Sequence, residues 1–153
     1  MKKLLILLPL LLAISCATVP SSEQMKSETE NYNLPSKASA KNSVVYIVRP
    51  SQVGGLIRFN VFLNNKEAKS EMGYTRGKNF IYFSVIPGHH KIFSKAENTA
   101  EIEIDAEAGK EVFIKQNATM GFIMARNNLE LITEAEGKYH VKNSSFGTVI
   151  KEE

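Results

Sequence analysis

The stretch TAEIEID, residues 99–105, indicates the fold class of this chain most clearly. Its apolar residues, Ala100, Ile102 and Ile104, alternate strictly with polar ones. A period of two is that of a β-strand, because successive side chains point to opposite faces of the sheet. Residues 99–105 are therefore predicted to form a strand with one face in the core and the other in water.

Outside this strand, the chain contains further short runs that are rich in β-branched and aromatic residues. They predict strands at residues 44–48, 58–63, 79–85, 90–94, 111–116, 121–125 and 129–133. Turn residues separate them, including a Pro87-Gly88 pair that suits a type II turn and the segment Ala108-Gly109-Lys110. This spacing predicts a small antiparallel β-sandwich or barrel, and not a parallel sheet with crossover helices.

One helix is predicted, directly after Thr133. Thr133 suits the N-cap position and Glu136, three residues on, completes a capping box, although Gly137 weakens the helix. The expected class is therefore mainly all-β: a small antiparallel β-sandwich over residues 43–150, with one short C-terminal helix.

Residues 1–15 have the pattern of a secretory leader. Lys2 and Lys3 provide a positive start, and residues 4–12 (LLILLPLLL) are an apolar stretch too short for a permanent membrane-spanning helix. The following Ala13-Ile14-Ser15-Cys16 resembles the lipobox at which bacterial lipoprotein signal peptidase cuts, with Ala13 where leucine is usual. Cys16 is thus predicted to be the mature N-terminus and the lipid attachment residue.

Lipid attachment at Cys16 has a chemical basis. The thiol is the nucleophile that accepts a diacylglycerol, and two or three acyl chains hold a protein at a membrane where one chain would not. Ala17, in place of an aspartate, resembles the default sorting to the outer membrane in a host with two membranes. The alternative is an ordinary signal peptide in which Cys16 is a bystander. Because Cys16 is the only cysteine, an intramolecular disulfide is excluded.

Residues 16–42 are expected to be the lipidated N-terminus followed by a flexible tether. The segment is rich in Ser, Glu, Lys, Asn and Pro, and its few apolar residues follow no period. Such a segment is expected to bury too little apolar surface to offset its ordering entropy. A coil of about 26 residues would hold the domain roughly 25–30 Å from the lipid surface.

The charge of the chain argues against nucleic acid as a partner. Lys and Arg number 19 against 16 Asp and Glu, a net charge of +3. Lys2 and Lys3 lie in the predicted leader, so the remaining 17 basic residues face the same 16 acidic ones, a net charge of +1. The sequence also has no Lys/Arg-rich run with interleaved aromatic residues, so a strong phosphate-neutralising field is absent.

Few residues suggest catalysis or metal binding. His89 and His90 would point to opposite faces of a strand, and His140 lies far along the chain, outside any common zinc spacing. Met120 and Met124 lie in an apolar run and are expected to fill gaps in the core and not to bind copper. The carboxylates of residues 99–105 are expected to be solvated. Four aromatic residues are expected to be covered and not to form a binding patch: Phe62, Tyr74, Tyr82 and Phe113. No catalytic residue, metal or cofactor is predicted.

Three segments together resemble a known bacterial family. They are VVYIVRP at residues 44–50, the aromatic strand that leads into VIPGHH at residues 85–90, and AEAGKEVFI at residues 106–114. As a set they resemble the bacterial lipoprotein family known as domain of unknown function 2846, over residues 43–141. The resemblance implies a small β-sandwich, similar in strand pattern to peptidase-associated and carboxypeptidase-regulatory-like modules, behind a lipoprotein leader. It implies no reaction and no catalytic residues.

Two functional classes remain open from the sequence. The leading expectation is a lipid-anchored, non-catalytic module of the bacterial envelope that binds another envelope protein or a cell-wall polymer, or that is purely structural. The alternative is a metal-dependent envelope factor or enzyme that uses His89, His90 or His140. The first is favoured because the predicted domain carries no catalytic motif.

Overall fold

The computed structural model describes residues 19–151, so the leader and Cys16 lie outside the described range. Within it the chain forms two helices, α1 (Ser22–Thr29) and α2 (Glu134–Lys142), and a short 3-10 turn at Ala68–Ser70. The strands are β1 (Ser43–Arg49), β2 (Phe59–Leu63), β3 (Glu71–Thr75), β4 (Asn79–Val85), β5 (Gly88–Lys95), β6 (Thr99–Ala106), β7 (Glu111–Met120), β8 (Ala125–Ile132), β9 (Ser145–Phe146) and β10 (Thr148–Val149).

The strands form two five-stranded sheets. The first sheet has the order β8-β7-β1-β4-β9 and the second β10-β3-β2-β5-β6. Neighbouring strands are antiparallel, except that β1 runs parallel to β7 and β4 parallel to β9. The prediction of a mainly all-β sandwich with one short C-terminal helix is confirmed, although the first sheet is mixed and not purely antiparallel.

The main core lies between the two sheets. Its members include Val45, Ile47, Ile81, Phe83 and Ile114 from the first sheet and Val61, Met72, Ile92 and Ile104 from the second. The β6 strand behaves as its alternation predicts, since Ile104 is buried while Glu101, Glu103 and Asp105 are exposed. Every residue of β1 is buried, which explains why its sequence is an apolar run without alternation.

The outer face of the first sheet, the one that points away from the second sheet, is also apolar. It carries Val44, Tyr46, Val48, Phe80 and Phe113. Val141 of α2 packs against this face, and Phe113 contacts the helix at Gly137. Phe113 is therefore covered as expected, by α2 and not by the second sheet; Phe62, on β2, is also buried, while Tyr74 and Tyr82 are half-buried.

The α2 helix forms where the sequence predicts it. Thr133 is the N-cap, and its hydroxyl accepts a hydrogen bond from the backbone N–H of Glu136 at 3.3 Å. The carboxylate of Glu136 contacts Lys115 of β7 at 2.7 Å, so this residue links the first turn of the helix to the sheet. The predicted helix and its N-cap are confirmed, but the capping box is only half formed, because the carboxylate of Glu136 contacts Lys115 and not the backbone of Thr133.

The structure differs from the expected flexible tether in residues 22–42. The α1 helix begins after the N-cap Ser21, which forms a capping box with Gln24, and α1 packs against α2. Met25 of α1 is only 7% exposed. The pattern Ser21-Ser22-Glu23-Gln24 is a helix-start signal that an analysis of apolar period alone does not detect.

The segment after α1 lies across the outer face of the first sheet. Tyr32, Leu34 and Ala38 pack against that face. The hydroxyl of Tyr46 donates to the carbonyl oxygen of Ser36 at 2.5 Å and accepts from its N–H at 2.9 Å. The few apolar residues of this segment follow no regular spacing, because each packs separately against the sheet face.

Three details of the strand prediction are wrong, and the two-residue strands β9 and β10 were also not predicted. The β3 strand was not predicted, because Gly73 interrupts its pattern; glycine is needed there since a Cβ atom would lie 2.2 Å from the carbonyl oxygen of Thr148 on β10. The predicted type II turn at Pro87-Gly88 is absent, because Gly88 begins β5 and the chain passes there from the first sheet to the second. Residues 121–125 do not form a strand of their own.

The region after β7 shows why that last prediction failed. The β8 strand is continuous from Ala125 to Ile132. It contains Asn127, a buried polar residue at an inward position, which is held by hydrogen bonds with Asn98 and Ser94. A polar residue on the core face broke the alternation in the sequence, so one strand was predicted as two.

Candidate functional site

The predicted lipid attachment residue, Cys16, lies outside the described residues, and its role stays a prediction. Among residues 19–151 the structure contains no helix with the length and apolar character needed to span a membrane.

The histidines do not form a common site. His89 is exposed and lies between two carboxylates of β6, with Nδ1 3.0 Å from Asp105 and Nε2 3.7 Å from Glu103. His90 is buried and hydrogen-bonded within the protein. His140 lies on α2, where burial lowers its pKa. Across the described part of the chain, no group of three or more His, Cys, Asp or Glu side chains is placed to hold a metal ion.

The carboxylates of β6 form a solvated, ion-paired strand face. The Nζ atom of Lys91, on the neighbouring β5, lies 2.9 Å from Glu103 and 3.7 Å from Glu101. The interaction with Glu103 raises the pKa of Lys91 and lowers that of Glu103. Exposed pairs of this kind contribute little to stability. The expectation of a solvated face is confirmed.

The prediction that Met120 and Met124 fill gaps in the core is wrong. Met120 is 81% exposed and Met124 is 44% exposed, and they flank the loop that joins β7 to β8. At the apex of this loop Phe122 is 95% exposed and Ile123 is 83% exposed. We call residues 120–124 the apolar tip. Its composition, MGFIM, is that of a buried segment, so composition alone could not show that it is a hairpin loop.

A single carboxylate holds the apolar tip in its conformation. Glu97, in the connection between β5 and β6, accepts hydrogen bonds from three backbone N–H groups of the tip: Phe122 at 3.0 Å, Ile123 at 2.7 Å and Met124 at 2.7 Å. The N–H of Gly121 donates to the carbonyl oxygen of Met124 at 2.8 Å. These bonds, above all that from Met124, lower the pKa of Glu97 to about 2. The tip is therefore a fixed loop with exposed apolar side chains.

A second loop lies beside the apolar tip and is held by Arg49. The side chain of Arg49 is fully buried at the end of β1, and its Cζ atom lies 3.6 Å from the ring centroid of Phe59. Its guanidinium donates to three carbonyl oxygens of the loop that follows β1: Ile57 at 2.7 Å, Gly54 at 2.8 Å and Val53 at 2.9 Å. Burial lowers the pKa of Arg49 to about 10. On this loop Leu56 is 89% exposed.

An open groove of 540 Å³ connects Leu56 to Met124 of the tip. Its other lining residues are Ile57, Arg58, Asn60, Phe62, Glu71, Lys95 and Ala96. We call Leu56 and the apolar tip together the apolar end of the sandwich. This region presents apolar side chains on a hydrogen-bonded backbone.

Sequence reasoning missed both residues that build this end. The sequence analysis predicts no site role for Arg49 or Glu97. The sequence contained one indirect signal. The apolar run MGFIM, of a composition usual in a core, lies between two strands at the position of a hairpin turn.

Comparison with known proteins places the chain in a family. Residues 39–129 match the family described as "Protein of unknown function (DUF2846)". An "Uncharacterized protein" of Haemophilus influenzae (strain ATCC 51907 / DSM 11121 / KW20 / Rd) is 32% identical over 130 residues, which cover 84% of this chain and 73% of that protein. The family match includes Arg49, Glu97 and the apolar tip. The chain therefore belongs to the DUF2846 family of proteins of unknown function.

Proposed function

We propose that this protein is a lipid-anchored, non-catalytic binding module of the bacterial envelope, and that the apolar end is its binding surface. The observation that carries the proposal is the fixed exposure of the tip, where Phe122 and Ile123 are almost fully exposed on a loop bonded to Glu97. Exposed apolar side chains in such a cluster mark interaction sites. A loop that is already ordered loses less conformational entropy when it binds.

The proposed anchor is Cys16, and the ordered N-terminal segment shortens the distance that we expect between the domain and the lipid. Because α1 begins at Ser22 and packs on the domain, the chain between the anchor and the domain runs only from Cys16 to Ser22. At most about 3.5 Å per residue, this stretch spans about 20 Å. An anchor at Cys16 would thus keep the domain next to the lipid and not at the end of a long coil.

The side chains of the apolar end limit the chemical class of the partner that we propose. Another envelope protein and a cell-wall polymer are both compatible with the sequence. The side chains of Phe122, Ile123 and Leu56 supply no hydrogen-bonding groups, so the part of a partner that they contact is expected to be apolar. The partner we propose is therefore an apolar component of the envelope.

Incorporation of labelled palmitate tests the anchor. We expect wild-type protein to carry the label and to fractionate with membranes, and Cys16→Ala to lose the label. Label at the same level in Cys16→Ala, or none in the wild type, would contradict lipid attachment at this residue.

Site-specific photo-crosslinking in intact cells tests the binding surface. A photo-reactive side chain at position 122 is expected to form a reproducible cross-link to an envelope component. The matched control is position 86, because Ile86 is also apolar and exposed (74%) but lies in the connection between β4 and β5, at the other end of the sandwich. Equal cross-linking at the two positions, or none at position 122, would contradict the proposal.

A further inference from the structure

We propose that the apolar tip inserts into a lipid surface with anionic headgroups and so forms a membrane contact separate from Cys16. This inference rests on the proposed function, because it requires the apolar end to be a binding surface, and it adds the chemical class of the partner. Three features of the tip support lipid as the occupant: its bonded backbone, its projection from the sheet, and the charges around it.

The N–H groups of the tip are hydrogen-bonded within the protein. Backbone N–H groups in an exposed loop can be satisfied by water, but in lipid each one needs an acceptor within the protein. All four N–H groups of residues 121–124 have such an acceptor: Gly121 donates to Met124, and the next three donate to Glu97.

The hairpin that carries the tip projects beyond its sheet. The β7 strand pairs with β1 only as far as Lys115, opposite Val48, whereas it pairs with β8 as far as Met120. The hairpin therefore continues for five residues past its last β1 partner, and the last two of them on β7, Thr119 and Met120, are exposed. The most exposed side chains, Phe122 and Ile123, lie at the apex of this projection. A projecting apolar apex can enter the acyl-chain boundary of a membrane while the rest of the domain stays in water.

The charges around the tip complement anionic headgroups. Four basic side chains lie at the apolar end: Arg58 and Lys95 line the groove, Arg76 contacts the backbone carbonyl of Leu56, and Arg126 on β8 is 54% exposed and lies 3.7 Å from the carboxylate of Glu97. Two carboxylates, Glu71 and Glu97, are also present, so the four basic side chains exceed them by two. Basic side chains near an apolar insertion are attracted by anionic lipids.

The experiment uses a tryptophan as a reporter of insertion, because the chain contains none. Phe122→Trp places the indole at the apex, and Ile86→Trp places it at the opposite end of the sandwich as the matched control. Both variants are made in the full chain, so any lipid at Cys16 contributes equally to both. Each is mixed with vesicles of phosphatidylethanolamine and phosphatidylglycerol whose acyl chains are brominated, and emission is compared with unbrominated vesicles.

The expected result is a shift of the Phe122→Trp emission to shorter wavelength and loss of most of its intensity to brominated chains, with no such change for Ile86→Trp. The response is expected to weaken as salt is raised, because headgroup attraction is screened. No shift for Phe122→Trp would overturn the inference, as would a shift equal in both variants. A concentration-dependent shift without vesicles would also overturn it, since the occupant would then be a second copy of the chain.

The two proposals fail in different ways. A cross-link from position 122 to a protein, together with an unshifted Phe122→Trp on vesicles, would overturn the lipid inference and leave the binding surface intact. Absence of both signals would remove the binding surface itself.

Discussion

Two apolar surfaces of this molecule differ in what covers them. The outer face of the first sheet carries Tyr46, Phe80 and Phe113, and the protein covers it with α2 and the segment after α1. The apolar end carries Leu56, Phe122 and other side chains of the same kind, and they are exposed in the described part of the chain. Both surfaces are fixed by hydrogen bonds, the first through Tyr46 and the second through Glu97.

The difference shows that exposure at the apolar end is not caused by a lack of order. A sheet face left without a cover would be a liability, and here α2 and a polar N-terminal segment with few apolar residues cover it together. At the tip, by contrast, an ionised carboxylate is used to fix a loop whose side chains point outward. The first surface serves the stability of the fold, and we attribute the second to binding.

The largest effect is expected from opening the covered surface. Tyr46 is fully buried, and its ring packs against Phe80, Tyr82 and Phe113. Tyr46→Ala is expected to lower the free energy of unfolding by about 3–5 kcal/mol, because a large cavity forms. The control Tyr46→Phe keeps the ring and loses only the hydrogen bonds to Ser36, so we expect about 1 kcal/mol. Denaturant unfolding measures both, and equal losses would mean that the ring is not packed as described.

A smaller effect with an informative sign is expected at Gly137. In an exposed helix Gly→Ala stabilises by roughly 0.5–1 kcal/mol. A Cβ atom at Gly137, however, would lie 2.2 Å from the ring of Phe113, so Gly137→Ala is expected to destabilise by about 1–3 kcal/mol. An increase in the unfolding midpoint of this variant would show that α2 does not pack closely against the sheet at Gly137.

Acid is expected to weaken the attachment of the tip. The folded-state pKa of Glu97 is lowered to about 2 by the N–H groups of the tip, so its stabilising contribution is present above the unfolded pKa, about 4.3, and is lost as the pH falls through about 2. Wild-type protein should therefore lose more stability between these pH values than Glu97→Gln does. Glu107→Gln, at an exposed turn position, serves as the control and should follow the wild type. Identical pH profiles for the wild type and Glu97→Gln would contradict the role of Glu97.

The sequence predicted correctly those strands and helices whose structure is determined by a local pattern of residues. The alternation in residues 99–105, the apolar run of β1 and the cap at Thr133 each predicted the element that forms. These signals depend only on neighbours in the chain, which is why they could be recognised without a structure.

The candidate site could not be predicted in the same way, because it depends on long-range partners. Glu97 meets the tip 25–27 residues further along the chain, and no local pattern marks a carboxylate that accepts three N–H groups. The burial of Leu34 likewise depends on the outer face of a sheet that begins later in the sequence. The sequence analysis consequently predicted that the apolar residues of the tip lie in the core and that those of the N-terminal segment lie in water. Both predictions were wrong.

The most direct test of the central claim is to change the tip and measure stability and binding in the same protein. In the double variant Phe122→Ser and Ile123→Ser the backbone bonds to Glu97 can persist, since they use only N–H groups. We predict a free energy of unfolding within about 0.5 kcal/mol of the wild type, together with loss of the cross-links that a photo-reactive side chain at position 124 forms in wild-type cells. A large loss of stability, or unchanged cross-linking, would contradict the claim that these side chains serve binding and not the fold.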